Sequence, residues 1–332
     1  MAEARPRVWL SQPLFADIVG RLREHFEVVE TAQVTQHGPA AIAAALAASD
    51  GALVTLNDPI GAAEVAAAAN LRAIANVGVG YNNLDVPALS RAGIVITNTP
   101  DVLTETTADF GFALMMATAR RITEGERWLR EGQWRQWSFE SLLGVDLHGS
   151  TLAILGMGRI GQGIARRAAG FDMRVLYHNR SRLPAEIERD CRAQYVDFDT
   201  LLAQADHLVL VLPYSPQVHH LIDAAALAKM KPTATLTNVA RGGLVDEDAL
   251  VDALSAGRLA AAGLDVFEGE PAVNPRLLVL RNVVLTPHIA SASLATRRAM
   301  VSLAVDNLIA ALGFGPDPGR PPTPVNADQL KR

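Results

Sequence analysis

A single cysteine, Cys191, stands in 332 residues. It can form no intramolecular disulfide and no cysteine-ligated metal cluster, so a reducing setting is expected. Long hydrophobic runs are also missing. The most apolar stretch, residues 110–119, falls well short of the ~20 residues that a membrane helix needs. Positive charge is not in excess: 30 Lys and Arg against 35 Asp and Glu leave a net charge of −5, and no basic stripe marks a nucleic-acid partner. The first residues lack the apolar core of a signal peptide, which makes a cytoplasmic location the expectation. Neither a His-Glu-x-x-His nor a Cys-x-x-Cys spacing occurs, so no metal is expected. What remains is 49% hydrophobic and 20% charged, enough apolar material for two buried cores in a chain of this length.

Short apolar runs alternate with helical patterns. Strands are expected at Arg7–Leu10, 26–29, 51–55, 71–75 and 94–97. The alanine-rich segments 39–49 and 62–69 are expected to be helices from alanine's high helix propensity, and residues 13–26 an amphipathic helix. A long helix is expected over residues 104–121, followed by a polar stretch holding Trp128, Trp134 and Trp137. A second series then begins: strands at Thr151–Leu155, Arg174–His178, 208–212, Thr235–Asn238, 263–265 and 283–286, a helix over 162–170, a last helix over 293–312, and a Pro/Gly-rich tail from Gly313. Strand–helix alternation implies parallel sheets. The fold class expected is α/β, with two doubly wound parallel-sheet domains.

The most informative string is Gly156-Met157-Gly158-Arg159-Ile160-Gly161, between an apolar strand and a helical pattern. That context makes a common pattern a dinucleotide site. The first glycine permits the tight turn, the second lets backbone approach a pyrophosphate, and the third lets helix and strand pack closely. An acidic residue about 20 positions on commonly binds the ribose of NAD. Here the corresponding segment is His178-Asn179-Arg180-Ser181-Arg182, which has no carboxylate. Arg180 as main contact, with Asn179, Ser181 and Arg182 assisting, offers donors and positive charge to a 2′-phosphate. NADPH is therefore the preferred cofactor expected, with NADH as the other; ordinary loop residues would look the same.

Three ionisable residues follow predicted strands downstream: Arg241, Glu270 and His288. Ligands of open parallel sheets bind beyond the carboxyl ends of the strands. An arginine can hold a carboxylate in two parallel hydrogen bonds. A histidine can exchange a proton near neutrality, and a glutamate beside it favours the imidazolium and orients the ring. Singly, each has a plainer reading: a surface Arg-Gly-Gly turn, an exposed Glu-Pro turn, a satisfied histidine. Together, behind one glycine loop, they are the parts for hydride transfer to a 2-oxo acid. The pair His219-His220 reads as a solvated connection and Cys191 as a structural or exposed thiol.

The chain resembles the D-isomer-specific 2-hydroxyacid dehydrogenases over nearly its whole length, most of all their bacterial glyoxylate/hydroxypyruvate reductases, some of them called 2-ketogluconate reductases. The resemblance rests on the glycine loop and on four further strings: Val77-Gly78-Val79-Gly80-Tyr81-Asn82-Asn83-Leu84-Asp85; residues 238–243 with 245–250; residues 262–267 with Glu270-Pro271; and Pro287-His288-Ile289-Ala290-Ser291. It implies a Rossmann cofactor domain (102–287) inserted into a flavodoxin-like substrate domain (1–101 and 288–332), with Arg241, Glu270 and His288 catalytic. It also implies substrate contacts from Val79, Gly80, Arg241, His288 and Ser291. Leu212, Pro213, Val239, Ala240, Asp265 and Ala290 would join the glycine loop around the cofactor, Asp265 at the nicotinamide carboxamide.

A homodimer is implied too, formed through the tryptophan-bearing stretch, with Trp137 a candidate to reach the partner's active site. Within this family the alternatives are an NAD-dependent oxidising enzyme, such as one acting on phosphite, and a non-catalytic NAD(H)-binding co-repressor. A formate enzyme is disfavoured, because those carry Gln where Glu270 stands.

Overall fold

The computed structural model describes residues 5–34 and 37–330. They divide into two compact units, one drawn from Met1–Leu103 and Ala292–Arg332, the other Thr104–Ser291.

The first unit is a five-stranded sheet of β1 (Arg7–Leu10), β2 (Glu27–Glu30), β3 (Gly51–Val54), β4 (Ala73–Asn76) and β5 (Val95–Thr97). All its pairings are parallel, in the order β2-β1-β3-β4-β5, the flavodoxin-like order. The central strands β3 and β4 are buried along their whole length, as strands covered on both faces must be. On one face the helix Leu294–Ala311 sets Val301, Ala304, Val305 and Leu308 against Val8, Leu10 and Leu53. On the other, Ile42 and Leu46 of the helix Pro39–Ala47 cover Trp9, Val54 and Ile74.

The second unit contains β6 (Thr151–Leu155), β7 (Arg174–His178), β8 (Ala193–Tyr195), β9 (His207–Leu210), β10 (Thr235–Asn238), β11 (Ala261–Leu264) and β12 (Val283–Leu285). The order is β12-β11-β10-β9-β6-β7-β8, again all parallel. This is the Rossmann order with one strand added, and its topological switch point lies between β6 and β9. The two parallel α/β sheets expected from the sequence are therefore present.

Local departures have physical reasons. The single helix expected over 13–26 is two short pieces, Ala16–Val19 and a 3-10 turn at Gly20–Glu24, divided at a glycine. Of the alanine-rich segment 62–69 only Ala62–Val65 is helical, and none of those residues is buried: propensity without a packing face gives one turn. Trp128, in the polar stretch, lies on a helix, Ile122–Arg130, that was not expected. The helix after the glycine loop starts at Arg159, three residues before the sequence pattern places it. The edge strand β8 was not expected; Ala-Gln-Tyr is too short and too polar to announce itself. The Pro/Gly-rich tail folds back on β5, where Asn326, 1% exposed, accepts from the Ile96 amide (2.9 Å).

Candidate active site

Gly156 ends β6 at φ +103°. A Cβ there would lie 2.6 Å from the Leu212 amide nitrogen beyond β9, so only glycine lets the two strand ends approach. A Cβ on Gly161 would lie 2.4 Å from the Gly156 carbonyl oxygen, which fixes the helix Arg159–Ala168 close to its strand. A Cβ on Gly158 would meet nothing within 4 Å, and no side chain caps the helix there. The middle glycine thus faces open space at a helix N-terminus, the cradle that a pyrophosphate requires. The residues present fit a dinucleotide.

Beyond β7, Asn179 turns inward: its Oδ1 accepts from the Met157 amide at 2.7 Å, tying this loop to the glycine turn. Arg182 is engaged elsewhere. Its guanidinium makes a two-pronged pair with Glu188 (2.9 and 2.7 Å), which also accepts from the Tyr177 hydroxyl (2.7 Å). The Arg182 bond, then the Tyr177 bond, hold the Glu188 carboxyl down at about 2. Burial, then Glu188, pushes the Tyr177 phenol up to about 12. Arg180 and Ser181 are left exposed at the tip.

Past β10 the chain turns at Val239 and Ala240, both buried. Asn238 fixes the turn by accepting from the Ala240 amide (3.0 Å) and donating to the Arg241 carbonyl (2.9 Å). Arg241 is partly buried, and its Nη1 donates to the Ala240 carbonyl. Burial pulls its guanidinium below the usual value, while the nearby Glu270 charge pushes back. Gly242 presses on the next loop so closely that a Cβ would overlap the Phe267 backbone. That contact fixes the Arg241 turn against the loop bearing Glu270.

Glu270 uses both oxygens. Oε1 accepts from the Phe267 amide (2.9 Å), and Oε2 accepts from His288 Nδ1 (2.8 Å). Burial alone would raise this carboxyl; the His288 bond and charge, the Phe267 amide and Arg241 outweigh it and leave it below its ordinary value. Glu270 is therefore ionised and acceptor-only, which puts the proton on His288 Nδ1 and turns Nε2 outward.

His288 itself sits at φ +52°, a left-handed conformation rare for such a side chain. Asp265, 0% exposed, holds that turn. It accepts from the Thr286 hydroxyl (2.7 Å), the Ile289 amide (2.9 Å) and the Ala290 amide (2.8 Å). Burial raises its carboxyl against those donors and the His288 charge. Sequence reasoning had no signal for this anchoring use of Asp265.

In the first unit, the residues after β4 turn their carbonyls inward. The Gly78, Val79 and Gly80 oxygens accept from the Thr99 amide, Asn98 Nδ2 and Asn76 Nδ2, all at 2.9 Å. Among the described residues, the Val79 and Gly80 amides have no acceptor, as a carboxylate-binding turn requires. Ser291 is the last residue of the second unit. Trp137 is 67% exposed, its ring packed edge-on against Phe139 at 4.5 Å. Cys191 is buried, not exposed, and burial raises its thiol, which makes it a poor nucleophile. The His219-His220 pair is not merely a solvated connection, because Glu268 lies against it.

Residues 112–290 match the family described as D-isomer specific 2-hydroxyacid dehydrogenase, NAD binding domain. The glyoxylate reductase of Thermococcus onnurineus is 42% identical over 330 residues, spanning 98% of this chain and 97% of that protein. The glyoxylate/hydroxypyruvate reductase B of Shigella boydii is 44% identical, over 93% and 95%. Among solved structures, the NADPH-dependent glyoxylate/hydroxypyruvate reductase of Sinorhizobium meliloti, in complex with NADP and malonate, superposes with a TM-score of 0.86 at 37% identity, covering 98% of each chain. No helix among the described residues is long and apolar enough to cross a membrane.

Proposed function

The chain belongs to the D-isomer-specific 2-hydroxyacid dehydrogenases, which are NAD(P)-dependent oxidoreductases, and on that footing we propose that it reduces short 2-oxo acids with NADPH. Glyoxylate and hydroxypyruvate are the proposed substrates, with 2-ketogluconate the third acid in range. The observation that carries this reading is the ionised Glu270 fixing His288 with Nε2 outward, beside the Arg241 turn. The names of the relatives support the substrate class.

The nicotinamide, when bound, supplies the hydride to the 2-carbon. Arg241 binds the substrate carboxylate and polarises the carbonyl, and the Val79 and Gly80 amides are proposed donors to a carboxylate. His288 gives its Nε2 proton to the carbonyl oxygen, and Glu270 stabilises the charged ring before that transfer. The glycine loop, with Leu212 and Pro213, is the proposed seat of the pyrophosphate. Val239, Ala240, Asp265 and Ala290 would hold the nicotinamide end, where the Asp265 carboxylate keeps one lone pair for the carboxamide.

For NADPH the support is the missing carboxylate after β7 and the exposed Arg180 and Ser181; the Sinorhizobium relative was solved with NADP. We also propose a homodimer in the cytoplasm, formed through the stretch whose Trp134, Trp137, Phe139 and Leu143 are all more than half exposed. Light scattering should then give twice the 35.4 kDa chain mass.

Steady-state rates with the three acids, each with NADPH and NADH, test the proposal. Turnover of glyoxylate or hydroxypyruvate with the higher kcat/KM on NADPH is expected. No turnover of any of the three would leave only the co-repressor or another oxidation standing, and an equal or higher value with NADH would overturn the cofactor assignment.

A further inference from the structure

No contiguous spacing in the sequence announces a metal site. Folding brings a third ligand from 48 residues away. His219 and His220 follow the 3-10 turn Pro216–Val218, their rings stacked at 3.8 Å and 23°. Glu268 stands in the loop beyond β11. Its Oε1 lies 2.9 Å from His220 Nε2 and 3.7 Å from His219 Nε2, and one ligand atom from each of the three residues lies within 4.8 Å of the other two.

We propose that His219, His220 and Glu268 form a binding site for a divalent transition ion of the zinc class. Tetrahedral ligands at ordinary Zn–N and Zn–O lengths are separated by roughly 3.3 Å, so the three atoms need move only by tenths of an ångström to a little over one. Two imidazoles and one carboxylate are an N/O donor set that favours Zn²⁺ or Co²⁺ over Mg²⁺ or Ca²⁺.

The backbones carrying these ligands are fixed independently of the ligand atoms. His220, at φ +52°, donates its amide to the Gly243 carbonyl (2.8 Å), and the Ile222–Val245 bridge holds the same connection. The Glu268 amide donates to Glu247 Oε1 (2.8 Å). The Tyr214 hydroxyl lies 3.1 Å from His219 Nδ1. With Nδ1–H donating to that oxygen, His219 Nε2 keeps its lone pair for the ion, the outer hydrogen bond that metal-bound histidines usually make. Side-chain exposures of 43%, 34% and 39% let an ion arrive from solvent and leave its fourth position to water. The ion takes the place of the proton that His220 Nε2 shares with Glu268, and the neutral ring then carries its proton on Nδ1.

Tag-free protein, dialysed against chelator, should be titrated calorimetrically with ZnCl2 and followed in the visible with CoCl2. One ion per chain is expected, with tetrahedral Co²⁺ absorption. Affinity should drop about tenfold or more in each of His219→Ala, His220→Ala and Glu268→Gln, while His288→Asn binds like wild type. Unaltered melting temperature and cofactor binding identify which of the three variants are folded, and any one of them suffices. No saturable binding below about 1 mM, equal affinity in folded variants, or loss of binding in His288→Asn would overturn the assignment.

Discussion

The Nδ1 of His288 lies 2.8 Å from Oε2 of Glu270, whose other oxygen takes the Phe267 amide at 2.9 Å. The carboxylate thus anchors its own loop and orients the ring in one arrangement. Replacing His288 with Ala should lower kcat for glyoxylate reduction about 100-fold or more, with the fold intact by circular dichroism. Near-normal kcat would remove His288 as the proton donor. Glu270→Gln should retain activity at a lower kcat with KM for the acid nearly unchanged, because the ring loses the carboxylate that orients it. An unchanged kcat would defeat the coupling.

Asp265 supplies acceptors to two amides and a hydroxyl of the turn that carries His288. Asp265→Asn would set an amide group against at least one of those buried donors. It should lose about 1–3 kcal/mol of stability and depress kcat as the His288 turn relaxes. A variant with wild-type melting temperature and kcat would show that the turn holds without the carboxylate.

Arg180 and Arg182 are two residues apart and differently committed. Arg180→Ala should raise KM for NADPH about tenfold or more and leave KM for NADH nearly unchanged, the loss expected for a charge-assisted phosphate contact. Arg182→Ala should be less selective, because its guanidinium already pairs with Glu188. That pair is also acid-resistant. With the folded carboxyl held at about 2, its stabilisation is full above the ordinary glutamate range and fades only as pH falls through that value. Equal damage to both cofactors in Arg180→Ala would refute the loop's proposed role.

His207 is fully buried between the Thr235 hydroxyl (Nδ1, 2.8 Å) and the Asp146 carbonyl (Nε2, 3.0 Å). Burial lowers its affinity for a proton below the ordinary histidine value, against the Asp146 carbonyl and the Asp206 charge. The unfolded chain therefore binds that proton first on acidification. Stability from the neutral ring is complete above the ordinary histidine range and is lost as pH falls through the lower folded value. Thermal melts between pH ~5 and ~7 should show a steeper acid decline in wild type than in His207→Gln. Parallel curves would exclude His207 as a source of acid sensitivity.

The parallel sheets were legible because buried strands such as Gly51–Val54 and Thr151–Leu155 read as unbroken apolar runs between helical patterns. The glycine loop was legible because its chemistry is local. The helix Val86–Arg91 was missed although its signals were there: Asp85 caps it and Pro87 opens it. The buried His207, the anchoring use of Asp265 and the approach of Glu268 to His219-His220 were not legible. Each depends on a partner on another strand or loop, and neither periodicity nor spacing encodes such distant pairings.

Asn179 occupies the first position after β7, and its side chain is already bound to the amide of Met157. The segment proposed to select between coenzymes is thereby also a strut for the glycine turn proposed to receive every coenzyme. Attempts to retune specificity have two freely variable positions here, 180 and 181, since Arg182 is paired with Glu188. A change at 179 is a change to the pyrophosphate cradle itself and should weaken NADH and NADPH together.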